Sequence, residues 1–165
     1  MPYAAVAEFL EKYTPEIVGQ LQAARGHLSK HFPRGFELVY DNYNALVFGI
    51  ASSERATDAI VSVAGYPKWV TLFFLRGVDL LDPTRVLEGN GVQVRSVRLH
   101  PPGKLHEPPV QALIAAAKAA ASSALAAAPP LKTVIKSVSA KQRERKPAAA
   151  KAASPKARRA GLSGA

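Results

Sequence analysis

The chain has 165 residues and a formal net charge of +10, because 22 Lys and Arg residues outnumber 12 Asp and Glu residues. It contains no cysteine, which excludes disulfides and thiolate-bound metals. No apolar run reaches the ~18 residues of a transmembrane helix, and the first residues lack the basic and apolar regions of a signal peptide. We therefore expect a cytoplasmic protein without a membrane span.

The positive charge is concentrated at the end of the sequence. Residues 129–165 contain ten of the 22 basic side chains and a single acidic one, Glu144, which gives them +9 of the net charge. Residues 1–128 are almost neutral and long enough for one domain with its own core. We predict an α+β domain over residues 1–128. Residues 129–165 are predicted to form an Ala/Lys/Pro-rich basic tail, disordered because it has little apolar surface to bury.

Two helices are predicted at the start of the chain. The first has apolar residues at the i, i+3, i+4, i+7 spacing of an amphipathic helix, namely Val6, Phe9, Leu10 and Tyr13. Thr14 suits the N-cap of a second helix, and Pro15 suits its first position. This second helix is expected to end before Pro33.

Five extended segments follow, rich in β-branched and aromatic residues and separated by turn residues. They cover residues 36–40, 45–50, 59–64, 69–75 and 92–99. An Ala-rich helix is predicted over residues 110–128, and Pro129-Pro130 is expected to end the folded part. The predicted fold has N-terminal helices and a C-terminal helix packed on one antiparallel sheet of about five strands.

Residues 131–138 repeat the helical spacing of apolar residues, with Lys132 and Lys136 outside the apolar face. We interpret them as a short basic amphipathic helix. A helix of this length is mostly unfolded in water when it has no partner.

A series of spaced motifs occupies the middle of the chain. A hydrophobic strand is followed by Arg76-Gly77, then Leu80-Leu81-Asp82-Pro83, then Leu87-Glu88-Gly89-Asn90-Gly91 and a strand that contains Arg95. In this order the motifs resemble the domain of unknown function 1801 family, over roughly residues 5–120. The resemblance implies a small α+β domain with helices against one antiparallel sheet. Some relatives are described as frataxin-like iron chaperones, and most have no assigned activity.

This sequence departs from the family pattern at three positions that are often His, Lys and His in relatives. They are occupied here by Trp69, Val92 and Ser96. A polar site that depended on those residues is weakened in this chain.

Other candidate sites have simpler interpretations. His27 and His31 are four residues apart on the second helix, a spacing that allows two imidazoles to bind one metal, but exposed helix residues are the preferred interpretation. A tight turn explains Gly89-Asn90-Gly91 better than a phosphate-binding loop does. Most aromatic residues are assigned to the core, among them Tyr40, Tyr43, Phe48, Trp69, Phe73 and Phe74. We predict no metal site and no cofactor.

No acid/base pair, nucleophile motif or cofactor loop is recognisable, so we predict a non-enzymatic protein. The basic tail is the main functional signal, because a cationic chain binds phosphates by releasing counterions without reading base sequence. Its composition is similar to that of the basic arms of linker histones and bacterial histone-like proteins. The predicted nucleic-acid-binding residues are Lys132, Lys136, Lys141, Arg143, Arg145, Lys146, Lys151, Lys156, Arg158 and Arg159.

The tail contains no aromatic residue, so base stacking on single strands is not expected from it. Three alternatives remain open from the sequence. The tail could be a solubilising extension, or it could contact a membrane surface. The folded domain could instead act as a small-ligand- or iron-binding chaperone, with the tail accessory.

Overall fold

The computed structural model describes residues 2–146, which form a two-layer α+β domain. Its helices and strands are α1 (Pro2–Leu10), α2 (Pro15–His31), β1 (Phe36–Asp41), β2 (Leu46–Ala51), β3 (Ala59–Gly65), β4 (Val70–Phe74), β5 (Arg95–Arg98), α3 (Pro108–Ala120), α4 (Ser122–Ala126) and β6 (Lys132–Val138). The predicted α+β class is confirmed. The Ala-rich helix is divided into α3 and α4 at Ala121.

The two N-terminal helices form where the sequence predicts them. Thr14 has extended backbone, and its hydroxyl accepts a hydrogen bond from the Ile17 N–H at 3.5 Å, with Pro15 at the start of the helix. One face of α2 is buried, through Ile17, Leu21, Ala24 and Leu28. This helix contacts β3 and β4 of the sheet, and it also contacts α3.

The sheet has six described strands in the order β5-β4-β3-β2-β1-β6. Strands β1 to β5 pair in an antiparallel manner, and β6 pairs with β1 in parallel. The prediction of an antiparallel sheet of about five strands is thus corrected to a six-stranded mixed sheet. The sixth strand reaches β1 because α3 and α4 carry the chain across the sheet to its opposite edge.

The predicted end of the folded part at Pro129-Pro130 is wrong. Leu131 N donates to Pro33 O at 2.9 Å, and the β6 register then runs from Phe36↔Lys132 to Asp41↔Val138. This pairing gives hydrogen-bond partners to the backbone N–H and C=O groups on the outer edge of β1. It also brings Leu131 and Ile135 against the core, which stabilises a segment that could not fold alone. The disordered-tail prediction is therefore incorrect for residues 129–146. Residues 147–165 lie outside the described residues.

The two faces of the sheet differ in character. Residues from all four described helices join one core cluster with strand residues that point to a single side, which we call the helix face: Val39, Leu46, Phe48, Ile50, Val61, Val63, Val70, Leu72, Phe74 and Val97. Since side chains alternate along a strand, their neighbours point to the opposite side. We call this the second face, and its residues include Leu38, Tyr40, Val47, Gly49, Ser62, Ala64, Thr71, Phe73, Ser96 and Arg98.

Candidate nucleic-acid interface

The edge strand β6 and the segment that follows it present five of the ten predicted binding cations to solvent. Five of the six predicted cations within residues 132–146 are exposed: Lys132, Lys136, Lys141, Arg143 and Lys146. Lysines on an edge strand also discourage pairing with another chain, because their charge must remain hydrated. The described part of the predicted interface is therefore a basic surface along one edge of the sheet.

Arg145 is the exception, and its predicted role in phosphate binding is incorrect. Its side chain is buried, with a relative exposure of 2% for the residue. The guanidinium donates from Nη1 to Asp41 Oδ1 and from Nη2 to Asn42 O, and it lies 5.3 Å from the centroid of the Tyr13 ring. Because Asp41 is itself fully buried, this ion pair is closed to an external phosphate.

Lys12 and Gln142 complete the contacts around Asp41. Lys12 Nζ donates to Asp41 Oδ2 at 2.6 Å and to Gln142 Oε1 at 2.8 Å. Gln142 Nε2 donates to the Asp41 backbone carbonyl at 3.3 Å. We call Lys12, Asp41, Gln142 and Arg145 the C-terminal latch, since they join the segment after β6 to α1 and β1.

The electrostatics of the latch favour an ionised Asp41. Burial alone would raise the pKa of this carboxyl, but hydrogen bonds from Lys12, Arg145 and Gln142 outweigh it and lower the pKa below its usual value. Removal of either cationic partner would leave the buried Asp41 charge incompletely compensated and would destabilise the folded protein.

Tyr13 lies beside the C-terminal latch and is held in place by two hydrogen bonds. Its hydroxyl donates to Gly65 O at 2.5 Å and accepts from the Leu46 N–H at 2.9 Å, which ties the end of α1 to β2 and β3. Burial raises the pKa of Tyr13 to about 12. The phenol therefore stays neutral and presents its ring to Arg145.

A cleft of about 660 Å³ lies beside β6, between the start of α1, α2 and β1. The ion pair between Arg25 and Glu37 lines this cleft. Arg25 Nε and Nη2 are each 2.8 Å from the Glu37 carboxylate. Thr133 Oγ1 donates to the same carboxylate at 2.8 Å, and Lys132 also lines the cleft. The sequence does not reveal this cleft, because residues 25, 37 and 133 are separated in the chain and Thr133 meets Glu37 only once β6 pairs with β1.

The rings of His27, His31 and His106 lie close together in the folded domain, although His106 is distant from the other two in the sequence. The His27 ring centroid is 4.6 Å from that of His31 and 5.2 Å from that of His106, which follows β5. His27 Nε2 lies 3.0 Å from Gln111 Oε1, and burial, with smaller contributions from the neighbouring cations and imidazoles, lowers its pKa. Within residues 2–146, no group of three or more His, Cys, Asp or Glu is arranged to hold a metal ion.

The Gly89-Asn90-Gly91 segment forms a turn that contacts its own domain. Gly89 has a φ of 117°, a backbone conformation that favours glycine. Arg95 Nη1 donates to the Gly91 carbonyl at 2.7 Å. Arg95, which follows the turn in the sequence, is therefore bound to the turn itself.

The assignment of aromatic residues to the core is only partly correct. Phe48 and Phe74 are buried, whereas Tyr43 is 46% exposed and Tyr40, Trp69 and Phe73 are partly exposed. The Tyr66 and Trp69 rings stack with centroids 5.3 Å apart, and Arg98 Cζ lies 4.2 Å from the Trp69 centroid. Sequence alternation within β4 could have revealed this surface, since Trp69 and Phe73 share the parity opposite to Val70, Leu72 and Phe74.

Comparisons with protein-family models, with curated proteins and with solved structures found no significant match to this chain. The resemblance to the 1801 family stays a prediction. No helix in the described part of the chain has the length and apolar character needed to cross a membrane. Four predicted binding residues, Lys151, Lys156, Arg158 and Arg159, lie beyond the residues that the structure describes.

Proposed function

We propose that this protein associates with nucleic acid through the exposed cations of its C-terminal region and binds phosphates without reading base sequence. The observation that carries the proposal is the division of roles among these cations. Arg145 is buried in the C-terminal latch, whereas the other five predicted cations of residues 132–146 remain exposed. The latch thereby fixes the basic segment at one edge of the domain and leaves its remaining charge available.

The charge of the region supports binding by counterion release. Residues 147–165 add four further basic residues and no acidic residue. A protein that neutralises six to ten phosphates loses roughly 10³- to 10⁵-fold in affinity between about 50 and 200 mM salt. A steep salt dependence and little preference among base sequences are therefore the expected signature.

The test is titration of the full-length protein into fluorescent duplex DNA at several salt concentrations, compared with the variant K132Q/K136Q/K141Q. The slope of log affinity against log salt should fall by about one for each lysine that contacts a phosphate. The matched control is K30Q/R55Q/K118Q, which removes three exposed cations from the rest of the domain. Equal losses in both variants would contradict a localised interface. Substitution is preferable to truncation at residue 139, because truncation also removes the latch.

A second proposal is that the folded domain binds a small ligand, and the cleft beside the Arg25–Glu37 pair is the observation that favours it. The cleft of about 660 Å³ is within the range of small-molecule sites. The 1801 resemblance adds ferrous iron to the candidates. Isothermal titration of the intact protein with ferrous iron and a panel of metabolites tests this proposal, and flat traces throughout would overturn it.

A further inference from the structure

The second face of the sheet carries a group of aromatic and cationic side chains that the C-terminal region does not use. Thr71 pairs with Arg98 across β4 and β5, which places Arg98 on the second face. Its guanidinium lies 4.2 Å from the Trp69 ring centroid, so Trp69 lies on the same face. Tyr66 stacks on Trp69 at 5.3 Å with an interplanar angle of 25°.

The Arg98 guanidinium is accessible to an external partner. It is exposed, and within the described residues its contact is with an aromatic ring and not with a carboxylate. Lys68 is exposed at the turn between Tyr66 and Trp69. The described strand positions that point to this face include no Asp or Glu, and one exposed acidic residue, Glu88, bridges to Ser96 beside β5. Arg98 and Lys68 together outweigh this single carboxylate, so the surface around Trp69 favours an anionic partner.

The accessible part of this face lies around Trp69 and Arg98. Elsewhere on the face Leu38, Ser62, Ala64 and Thr71 are buried. Tyr66, Trp69 and Phe73 are partly exposed, whereas Arg98 and Lys68 are exposed. Partly exposed aromatic rings are thus presented beside two cations.

We propose that this surface binds a single-stranded segment of nucleic acid, with bases stacked on the Tyr66–Trp69 pair and Phe73 and with phosphates near Arg98 and Lys68. Aromatic rings that reach the surface select single strands, because the bases of a duplex are already stacked on one another. Cations beside the rings add phosphate attraction and cation–π contacts. This inference is independent of the proposed function, which depends on the exposed cations of the C-terminal region and uses no aromatic residue.

Trp69 is the only tryptophan of the chain, so its fluorescence reports on this surface directly. The full-length protein is titrated with an oligothymidylate of about 16 nucleotides and, separately, with a hairpin duplex. Salt is kept high enough to suppress the C-terminal contacts. The expected result is saturable quenching by the single strand and little change with the duplex. Absence of quenching by the single strand, or equal quenching by the duplex, would overturn the proposal.

Two variants separate this surface from the C-terminal region. R98Q should weaken single-strand binding several-fold, whereas R55Q, an exposed arginine away from the aromatic rings, should leave it unchanged. K132Q/K136Q/K141Q should still show quenching by the single strand even if it no longer binds duplex DNA. The proposal is wrong if quenching disappears in the lysine variant and persists in R98Q. Circular dichroism of each variant verifies that the fold is intact.

Discussion

The C-terminal latch and the second face of the sheet each place an arginine over an aromatic ring. Arg145 lies over Tyr13, is buried, and is paired with a carboxylate. Arg98 lies over Trp69 and is exposed, and its described contact is the ring itself. The surroundings determine what an arginine does, because burial makes one guanidinium a structural contact and exposure leaves the other accessible to solvent.

The largest effect should come from D41N. This substitution removes the carboxylate that pairs with buried Arg145, and breaking a buried pair in this way costs about 3–5 kcal/mol. Urea denaturation would measure the loss. D79N is the matched control, since the Arg76–Asp79 pair is exposed and such pairs contribute about 0–1 kcal/mol. Similar losses in the two variants would contradict the structural role of the latch.

The pH dependence of stability should also differ between wild type and D41N. Because the folded pKa of Asp41 lies below the ordinary 3.8, its contribution is fully present above that pH and is lost as the pH falls through the folded value. Thermal or urea denaturation between about pH 7 and pH 2 should therefore show the two proteins converging in acid. A constant difference across this range would exclude the ion pair as the source of the stability.

A smaller effect is expected from R98Q, which changes the exposed arginine of the pair. An exposed cation–π contact contributes about 0.5–1 kcal/mol, so this variant should remain folded with only a modest loss in the free energy of unfolding. A loss as large as that of D41N would show that Arg98 is a structural residue like Arg145. The same urea titration serves for both variants.

The smallest effect should come from Y40F on the second face. The Tyr40 hydroxyl is buried and has no hydrogen-bond partner among the described residues. Removing an unsatisfied hydroxyl relieves a desolvation penalty, so stability should be unchanged or higher by about 0.5 kcal/mol. A clear destabilisation, measured by the same denaturation, would reveal a partner for this hydroxyl.

Local patterns predicted the elements that local interactions specify. Thr14 and Pro15 marked the start of α2, and β-branched and aromatic runs marked the first five strands. The spacing of Leu131, Val134, Ile135 and Val138 predicted a helix, and that prediction was wrong. The partner strand β1 lies about a hundred residues earlier in the sequence, and no local pattern reveals such a pairing.

The site was predicted in part for the same reason. Charge counting located a basic segment, and five of its six described cations are exposed, but its role in binding stays a prediction. It could not separate Arg145 from them, since Asp41 lies 104 residues away in the chain. The aromatic surface around Trp69 was missed because hydrophobic residues were assigned to the core by type and not by strand face.

The parallel pairing of β6 with β1 has a consequence for synthesis on the ribosome. Strands β1 to β5 emerge first. Until residues 132–138 are synthesised, the outer edge of β1 lacks its neighbour, and until residue 145 is synthesised, Asp41 lacks Arg145. During that interval the nascent domain exposes an unpaired edge that can pair with another chain. Co-translational folding is therefore completed only by the arrival of the same basic segment that we propose contacts nucleic acid.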